Sequence, residues 1–507
     1  MKLYYLSIFI TIFLFVLYFL TRFFFKKWFK VKKEGGFSLV PFGEKLGATG
    51  GLYLFLAPIV AMGWGYLPVI IYTIISLIFL GYPLSFFSTL FPKRFNIKEL
   101  FNKYKNIKNI LLIFLIIFSL ILTISFIHYT AELLSQNLST STSFLFLIPL
   151  SLLFSLVLIR KKEDIVPYTV LFIVLLFYII FLGGFFPIRI PFTVITGKFT
   201  WGIILTALLF LFVFLNENYL SRPFSYLSSF LLFVLIFGGI FGPLIGVRIQ
   251  REPLIPISQS GFFLPTILGV LSFGIFSGFD SLFSVIFTGN EIKGERDSFS
   301  TSLLTSTILS LIAIFSSFSL IIYAKTEGLI KNKDPLTLFQ EGTAKFLRFA
   351  GITESYSKNF VLFITLVIMF SFMVYVIKTT KKYVEITSEK KNNLLPIILI
   401  IIPFITFFLP KDTFGGITNL WFRLININTS MNFLLAGILL FLVSIALKQK
   451  LYVNISKIIN LISTILFIYL TYFSITSKNY LSLIFSIIFL IINIYLNFNL
   501  IKANASE

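Results

Sequence analysis

The chain has 507 residues, 57% of them hydrophobic and 12% charged, with a formal net charge of +22 and a mean hydropathy of +0.97. Too few polar residues exist to cover a soluble protein of this length, and apolar runs of about 18 or more residues, each able to cross a hydrocarbon core, recur from end to end. The absence of cysteine and the single histidine exclude disulfides, thiolate metal ligands and a multi-histidine site. The runs do not alternate apolar and polar residues as barrel strands do, so the composition predicts an all-α polytopic membrane protein.

Hydropathy predicts about fifteen spans, near 3–24, 46–65, 67–91, 110–134, 142–159, 167–186, 200–220, 224–247, 261–288, 301–324, 359–377, 394–410, 429–447, 453–473 and 479–501. The first is too long for a signal-peptide core and runs into KKWFKVKK without a small-residue cleavage site, so it reads as a retained helix. Basic residues gather in alternate loops: Lys26 to Lys33, Pro92 to Lys108, RKKED at Arg160, Lys378 to Lys391, and KQK at Lys448. Between them, SQNLSTSTS after the fourth span has none. By the positive-inside rule this places the N-terminus outside and the C-terminus in the cytoplasm of a multi-pass plasma-membrane protein. It also assigns the net positive charge to loops rather than to a nucleic-acid surface. TGNEIKGERDS, near neutral, favours neither side, and LTLFQEGTAKFLRFAG in the longest outer loop reads as an amphipathic helix lying on the membrane. The whole of 1–507 reads as one transmembrane domain.

Ionisable residues inside spans mark pathways or buried pairs. Asp280 lies in the ninth span, within GVLSFGIFSGFDSLFSVIF, with apolar residues on both sides, and is expected to face a polar cavity. His128 and Glu132 share a face of the fourth span; they fit either a proton relay or a hydrated position beside SQNLSTS. Glu44 and Lys45, at the entrance to the second span, are expected in the headgroup layer, and Glu217, at the end of the seventh, toward an inner loop.

Glycine and proline interrupt two spans. The second carries Gly47, Gly50, Gly51 and Pro58; the ninth carries Gly269, Gly274 and Gly278. Such residues permit close packing, but they also weaken helices and free backbone groups. Secondary transporters place discontinuous helices at corresponding points of inverted repeats, where freed amides and carbonyls hold substrate or ion. The second and ninth spans run in opposite directions in the predicted topology, as an inverted repeat requires.

The block LVPFGEKLGATGGLYLFLAPIVAMGWGYLP (Leu39 to Pro68) resembles the N-terminal signature of the carbon starvation (CstA) family of transporters at Gly43, Ala48, Gly51, Pro58, Ala61 and the run Gly65, Tyr66, Leu67, Pro68. SFFSTLFPKRFNIKEL looks like that family's next helix, ending in Lys93 and Arg94. FGIFSGFDSLFSVIFTGNEI is similar to its Gly-x-x-Ser-Gly-Phe-His segment at Gly274, Ser277, Gly278, Phe279 and Thr288. Where the family has a histidine pair this chain has Glu44 and Lys45, and where it has a histidine after Ser-Gly-Phe this chain has Asp280.

The resemblance implies the amino acid–polyamine–organocation superfamily, with two LeuT-like inverted five-helix repeats, here at 46–186 and 261–447, and extra peripheral helices. It also implies ion-coupled uptake of a small organic solute such as peptides or pyruvate. On this reading Gly50, Gly51, Pro58, Gly274, Ser277 and Gly278 contact substrate. Asp280 and Ser281, with His128 and Glu132 as a relay, handle a coupling proton or sodium ion, and no cofactor or metal is needed. The alternatives are a passive channel or facilitator, though no rings of like polar groups suggest a pore, and a divergent amino-acid permease of the same superfamily. A membrane enzyme would require clustered Asp, His or Arg, and a direct ATP-driven pump a phosphate-binding glycine loop; neither is present in the sequence.

Overall fold

The computed structural model describes residues 3–29, 31–32, 37–160, 165–188, 197–245, 252–255, 277–320, 335–348, 351–409, 420–476 and 480–505. All regular structure among them is helical, as lipid demands of a chain whose backbone groups must be satisfied within each segment. The first half comprises α1 (Leu3–Trp28), α2 (Leu39–Thr49), α3 (Gly51–Trp64), α4 (Tyr66–Ser76), α5 (Tyr82–Arg94), α6 (Ile97–Lys103), α7 (Lys105–Gln136), α8 (Leu138–Arg160), α9 (Ile165–Phe185), α10 (Gly197–Phe214) and α11 (Ser221–Phe241). The second half comprises α12 (Gly278–Phe283), α13 (Gly289–Glu291), α14 (Glu295–Phe318), α15 (Pro335–Leu347), α16 (Glu354–Ser388), α17 (Leu394–Ile405), α18 (Leu420–Ala446), α19 (Lys450–Thr476) and α20 (Tyr480–Ala505). One π turn, Leu77–Gly81, joins α4 to α5, and another, Ser284–Thr288, joins α12 to α13.

Eleven helices among the described residues are long and apolar enough to cross a membrane, so the chain is a multi-pass membrane protein. Four of the fifteen expected spans are not among the eleven. The second is divided at Gly50 into α2 and α3, and the ninth is described only from Ser277. The twelfth, α17, is a 12-residue helix, and α20 is described in full only over Ser482–Phe498.

Burial separates centre from periphery. The apolar windows of α14 and α16 are 94% and 100% buried, against 28% for α1 and for α9. Ile12, Phe19 and Phe23 of α1 point outward, as suits a helix whose solvent on that side is lipid. Around α14 and α16, α2 packs on α11, α3 and α5 on α14, and α7 on α16. α12 and α5 both pack on α18, and the second π turn packs on α5. π turns inside helices frequently accompany functional sites.

α15 forms within the expected amphipathic stretch, and its apolar face is covered by other helices. Leu338, Phe339, Phe346 and Leu347 are buried, and the helix packs against α16, α11 and α3. Its apolar stripe is satisfied by protein, which hydropathy of a single segment does not distinguish from lipid.

Candidate functional site

The site begins where α2 is pressed into the bundle. A Cβ at Gly47 would stand 1.9 Å from the Ser225 carbonyl oxygen, so only glycine permits this approach to α11. Lys45 and Thr49 lie one turn apart on α2 and therefore share a face. That face meets Asp280. Lys45 is fully buried, and its Nζ lies 3.3 Å from Asp280 Oδ2 while donating to Ser85 Oγ of α5 at 2.8 Å. The Thr49 hydroxyl lies 2.9 Å from Asp280 Oδ1 and 2.9 Å from the Lys45 carbonyl oxygen. Isolated charges are expensive to bury, and these two are tolerated because each neutralises the other and both find hydrogen-bond partners.

Asp280 owes its position to the start of α12. Ser277 is extended (φ −68°, ψ 126°) and caps the helix by accepting from the Asp280 amide, at 3.1 Å. Asn432 of α18 joins the cap: its Oδ1 accepts from the Phe279 amide at 2.9 Å and from the Ser277 hydroxyl at 3.1 Å. The carboxylate thus stands in the first turn, where the helix dipole favours negative charge. Ser281 donates to the Ser277 carbonyl at 2.9 Å, so its described bond is local to the helix. Gly278 is a point of close approach, since a Cβ there would lie 2.3 Å from the Ala436 amide nitrogen.

Glu44 and Lys45 are not solvated side chains but are buried in the protein. Glu44 is 2% exposed. It accepts from Arg222 Nε at 2.9 Å and from the Tyr375 hydroxyl at 2.5 Å. Arg222, in the first turn of α11, also pairs with Glu291 of α13 and bonds Asn218, with Glu217 at 4.0 Å. Glu217 in turn pairs with Lys382 at 3.3 Å. α2, α11, α13 and α16 are therefore tied by one charge network, beside a cleft of about 910 Å³ lined by Ser38, Leu158, Ile165, Arg222, Glu291 and Asp297. The misplacement has a simple cause: two adjacent charges at a span entrance look solvated until the partners, 178 and 331 residues away, are known.

The near-neutral loop TGNEIKGERDS is explained by the same packing. Its acids are taken up by other elements: Glu291 by Arg222, Glu295 by two guanidinium nitrogens of Arg94 at 2.9 Å, and Asp297 by the amide and hydroxyl of Ser38.

Other expected residues lie elsewhere. His128 is 1% exposed, not at a hydrated interface. Its Nε2 bonds the Thr406 hydroxyl at 2.7 Å, and its ring stacks on Phe407 at 3.8 Å. Glu132 pairs with Lys198 at 3.2 Å. The bonds of both residues run to α10 and the segment after α17 rather than to Asp280. Gly50 joins α2 to α3 with helical angles (φ −68°, ψ −17°), Gly51 opens α3, and Pro58 lies inside it, where it removes one backbone hydrogen bond. Gly274 lies outside the described residues.

Thr49, Ser85, Asn432, Arg222 and Tyr375 belong to these two clusters and were not apparent from the sequence. A polar amide within a long apolar run, as in NINTSMNF before the thirteenth span's apolar core, is the signal for Asn432. Polarity continues beyond it: Asn428, one turn earlier on α18, and Ser88, one turn after Ser85 on α5, are fully buried and have no hydrogen-bond partner. Buried polar groups are nearly always satisfied, so these two have hydrogen-bonding capacity left over among the described residues. No cluster of three or more metal-ligating side chains occurs among the described residues.

No curated protein matches the chain in a sequence search. Among solved structures, a manganese transporter from Eremococcus coleocola, in complex with an aromatic bis-isothiourea substituted compound, is similar over 93% of this chain and 98% of that one, at 10% identity and a TM-score of 0.47. That similarity is too low to carry a conclusion. The family described as carbon starvation protein CstA matches residues 38–345, the segment that contains Lys45, Ser85, Arg222 and Asp280. Since that match takes in more than half of the 507 residues, the chain belongs to the carbon starvation protein CstA family.

Proposed function

We propose that this chain is a secondary active transporter for a small organic solute, a peptide or a carboxylate such as pyruvate, and that it works by alternating access with a proton as the coupling ion. Family membership supports transport. The buried Lys45–Asp280 pair carries the rest of the reading. Lys45 already supplies the positive charge opposite the carboxylate, so sodium would have to displace an ammonium that is bonded to Ser85. Protonation of Asp280 instead releases Lys45 from its counter-charge and leaves a cation free to meet a substrate carboxylate. Coupling and binding then use the same two residues, joined by the polar groups Thr49, Ser88, Asn428 and Asn432.

The reading extends to architecture. In this proposal the divided helix α2–α3 and the helix capped by Ser277 serve as the discontinuous elements of two inverted repeats, 46–186 and 261–447, in a LeuT-like core of the amino acid–polyamine–organocation superfamily. Gly50, Gly51, Pro58, Ser277 and Gly278 offer backbone or hydroxyl groups there. The Arg222–Glu44–Glu291 network closes the passage toward the adjoining cleft. Loop charge supports an outside N-terminus and a cytoplasmic C-terminus in the plasma membrane.

The test is uptake of labelled pyruvate and of a labelled dipeptide into proteoliposomes under an imposed pH gradient, with and without sodium. The unmodified chain should accumulate one of them when the pH gradient is present. Asp280→Asn should abolish accumulation while the protein still inserts and folds. Wild-type uptake by Asp280→Asn, or uptake driven by sodium and indifferent to pH, would overturn the reading; equilibration without accumulation would identify a facilitator.

A further inference from the structure

A second charged site lies far from the Lys45–Asp280 pair in character: it is wholly basic. Where the end of α1 meets the start of α14, a pocket of about 270 Å³ is lined by Arg22, Lys26, Val31, Lys32, Arg296 and Phe299. Four cations thus surround one small volume. Among the described residues their charge is only partly offset, the Glu295 carboxylate acting on Lys32. Arg22 donates to the Tyr18 hydroxyl at 3.2 Å, and no carboxylate of the described residues pairs with Arg22, Lys26, Lys32 or Arg296. Of the two acids that flank Arg296, Glu295 is held by Arg94 through two hydrogen bonds and accepts one more from the Lys32 backbone amide at 3.0 Å, and Asp297 accepts from Ser38. Lys45 and Arg222 are held by carboxylates and the buried Lys378 by the Ser221 hydroxyl, whereas Arg22, Lys26, Lys32 and Arg296 crowd one pocket with no salt bridge among the described residues, an arrangement suited to an anion from outside.

The neighbourhood indicates which anion. Phe19, Arg22, Phe23 and Lys26 follow the i, i+3, i+4, i+7 spacing and so form one stripe along α1. Phe19 and Phe23 on that stripe are 61% and 67% exposed, on a helix whose outward face meets lipid. The stripe therefore runs from an apolar surface suited to acyl chains up to cations suited to a phosphate. Val31 and Phe299 add an apolar wall to the pocket. The start of α14, where Arg296 sits, adds the positive end of a helix dipole.

We propose that this pocket binds the headgroup of an anionic phospholipid, with the phosphate among Arg22, Lys26, Lys32 and Arg296 and the acyl chains along Phe19 and Phe23. Basic pockets between transmembrane helices recognise acidic headgroups by this chemistry. The lipid clamps α1, which lies outside the family-matched segment, to α14, one of the most buried helices of the bundle. It does not enter the transport site.

The full chain in detergent micelles is titrated with phosphatidylglycerol, with phosphatidylcholine of the same chain length, and with inorganic phosphate, and the midpoint of thermal unfolding is followed. Phosphatidylglycerol should raise the midpoint saturably, phosphatidylcholine should not, and phosphate should act only at much higher concentration, since it lacks the acyl contacts. Lys32→Gln/Arg296→Gln should weaken the phosphatidylglycerol effect by roughly 25-fold, about fivefold for each charge. Lys448→Gln/Lys450→Gln, which removes two charges in another basic loop, should leave it within about twofold. If the first double variant folds poorly, Lys26→Gln alone should still weaken the effect by about fivefold. Equal effects in the two double variants, no effect of phosphatidylglycerol, or phosphate as potent as the lipid would each overturn the proposal.

Discussion

Replacing Lys45 by glutamine strands a carboxylate in the interior. Across the 3.3 Å between Lys45 Nζ and Asp280 Oδ2, the Coulomb attraction is about 5 kcal/mol at an effective dielectric constant of about 20. Much of this is offset by the desolvation of both ions, which is why the pair as a whole contributes little net stability. Removal of one partner is different. Thr49 still donates to Asp280, but the charge has lost its counter-ion, and Lys45→Gln should destabilise the protein by about 3–5 kcal/mol. Asp280→Asn alone should fall in the same range, because it leaves the fully buried ammonium of Lys45 unpaired. The double variant Lys45→Gln/Asp280→Asn removes both charges and should be more stable than either single variant. Denaturation in mixed micelles, followed by tryptophan fluorescence with Trp64 of α3 as one reporter, measures this cycle. A Lys45→Gln variant within about 1 kcal/mol of the unmodified chain, or additive losses in the double variant, would refute the buried pairing.

The network around Glu44 makes a parallel prediction: Tyr375→Phe removes the 2.5 Å bond to a buried carboxylate and should destabilise by about 1.5–3 kcal/mol in the same assay. The Lys98–Glu389 pair, with side chains 44% and 64% exposed, is the contrast; Lys98→Ala should change stability by no more than about 1 kcal/mol, less at high salt. Gly47→Val drives a side chain into the Ser225 carbonyl and should destabilise by at least about 1–3 kcal/mol, read as a fall in the yield of monodisperse protein as well as in stability.

The sequence by itself determined that the chain is a helical membrane protein and where most helices run, because a lipid solvent imposes a long apolar run on every span and leaves little else to choose. It also singled out Asp280, since a carboxylate amid apolar residues on both sides has few bland explanations. Family resemblance at Gly43 and Gly278 was legible for the same reason that glycine is: beside Tyr226 and Ala436 these backbone positions have no room for a Cβ and tolerate little else. What only the tertiary structure decided is pairing. That Lys45 and Asp280, both at positions where the family resemblance expects histidine, answer each other across 235 residues follows from the close approach of α2 that Gly47 allows, not from any local pattern. The same holds for Glu44, which reads as a solvated charge until Arg222 and Tyr375 are beside it, and for α15, whose apolar stripe suits lipid and protein equally. Hydropathy is a property of a segment; the partner of a buried charge is a property of the packing.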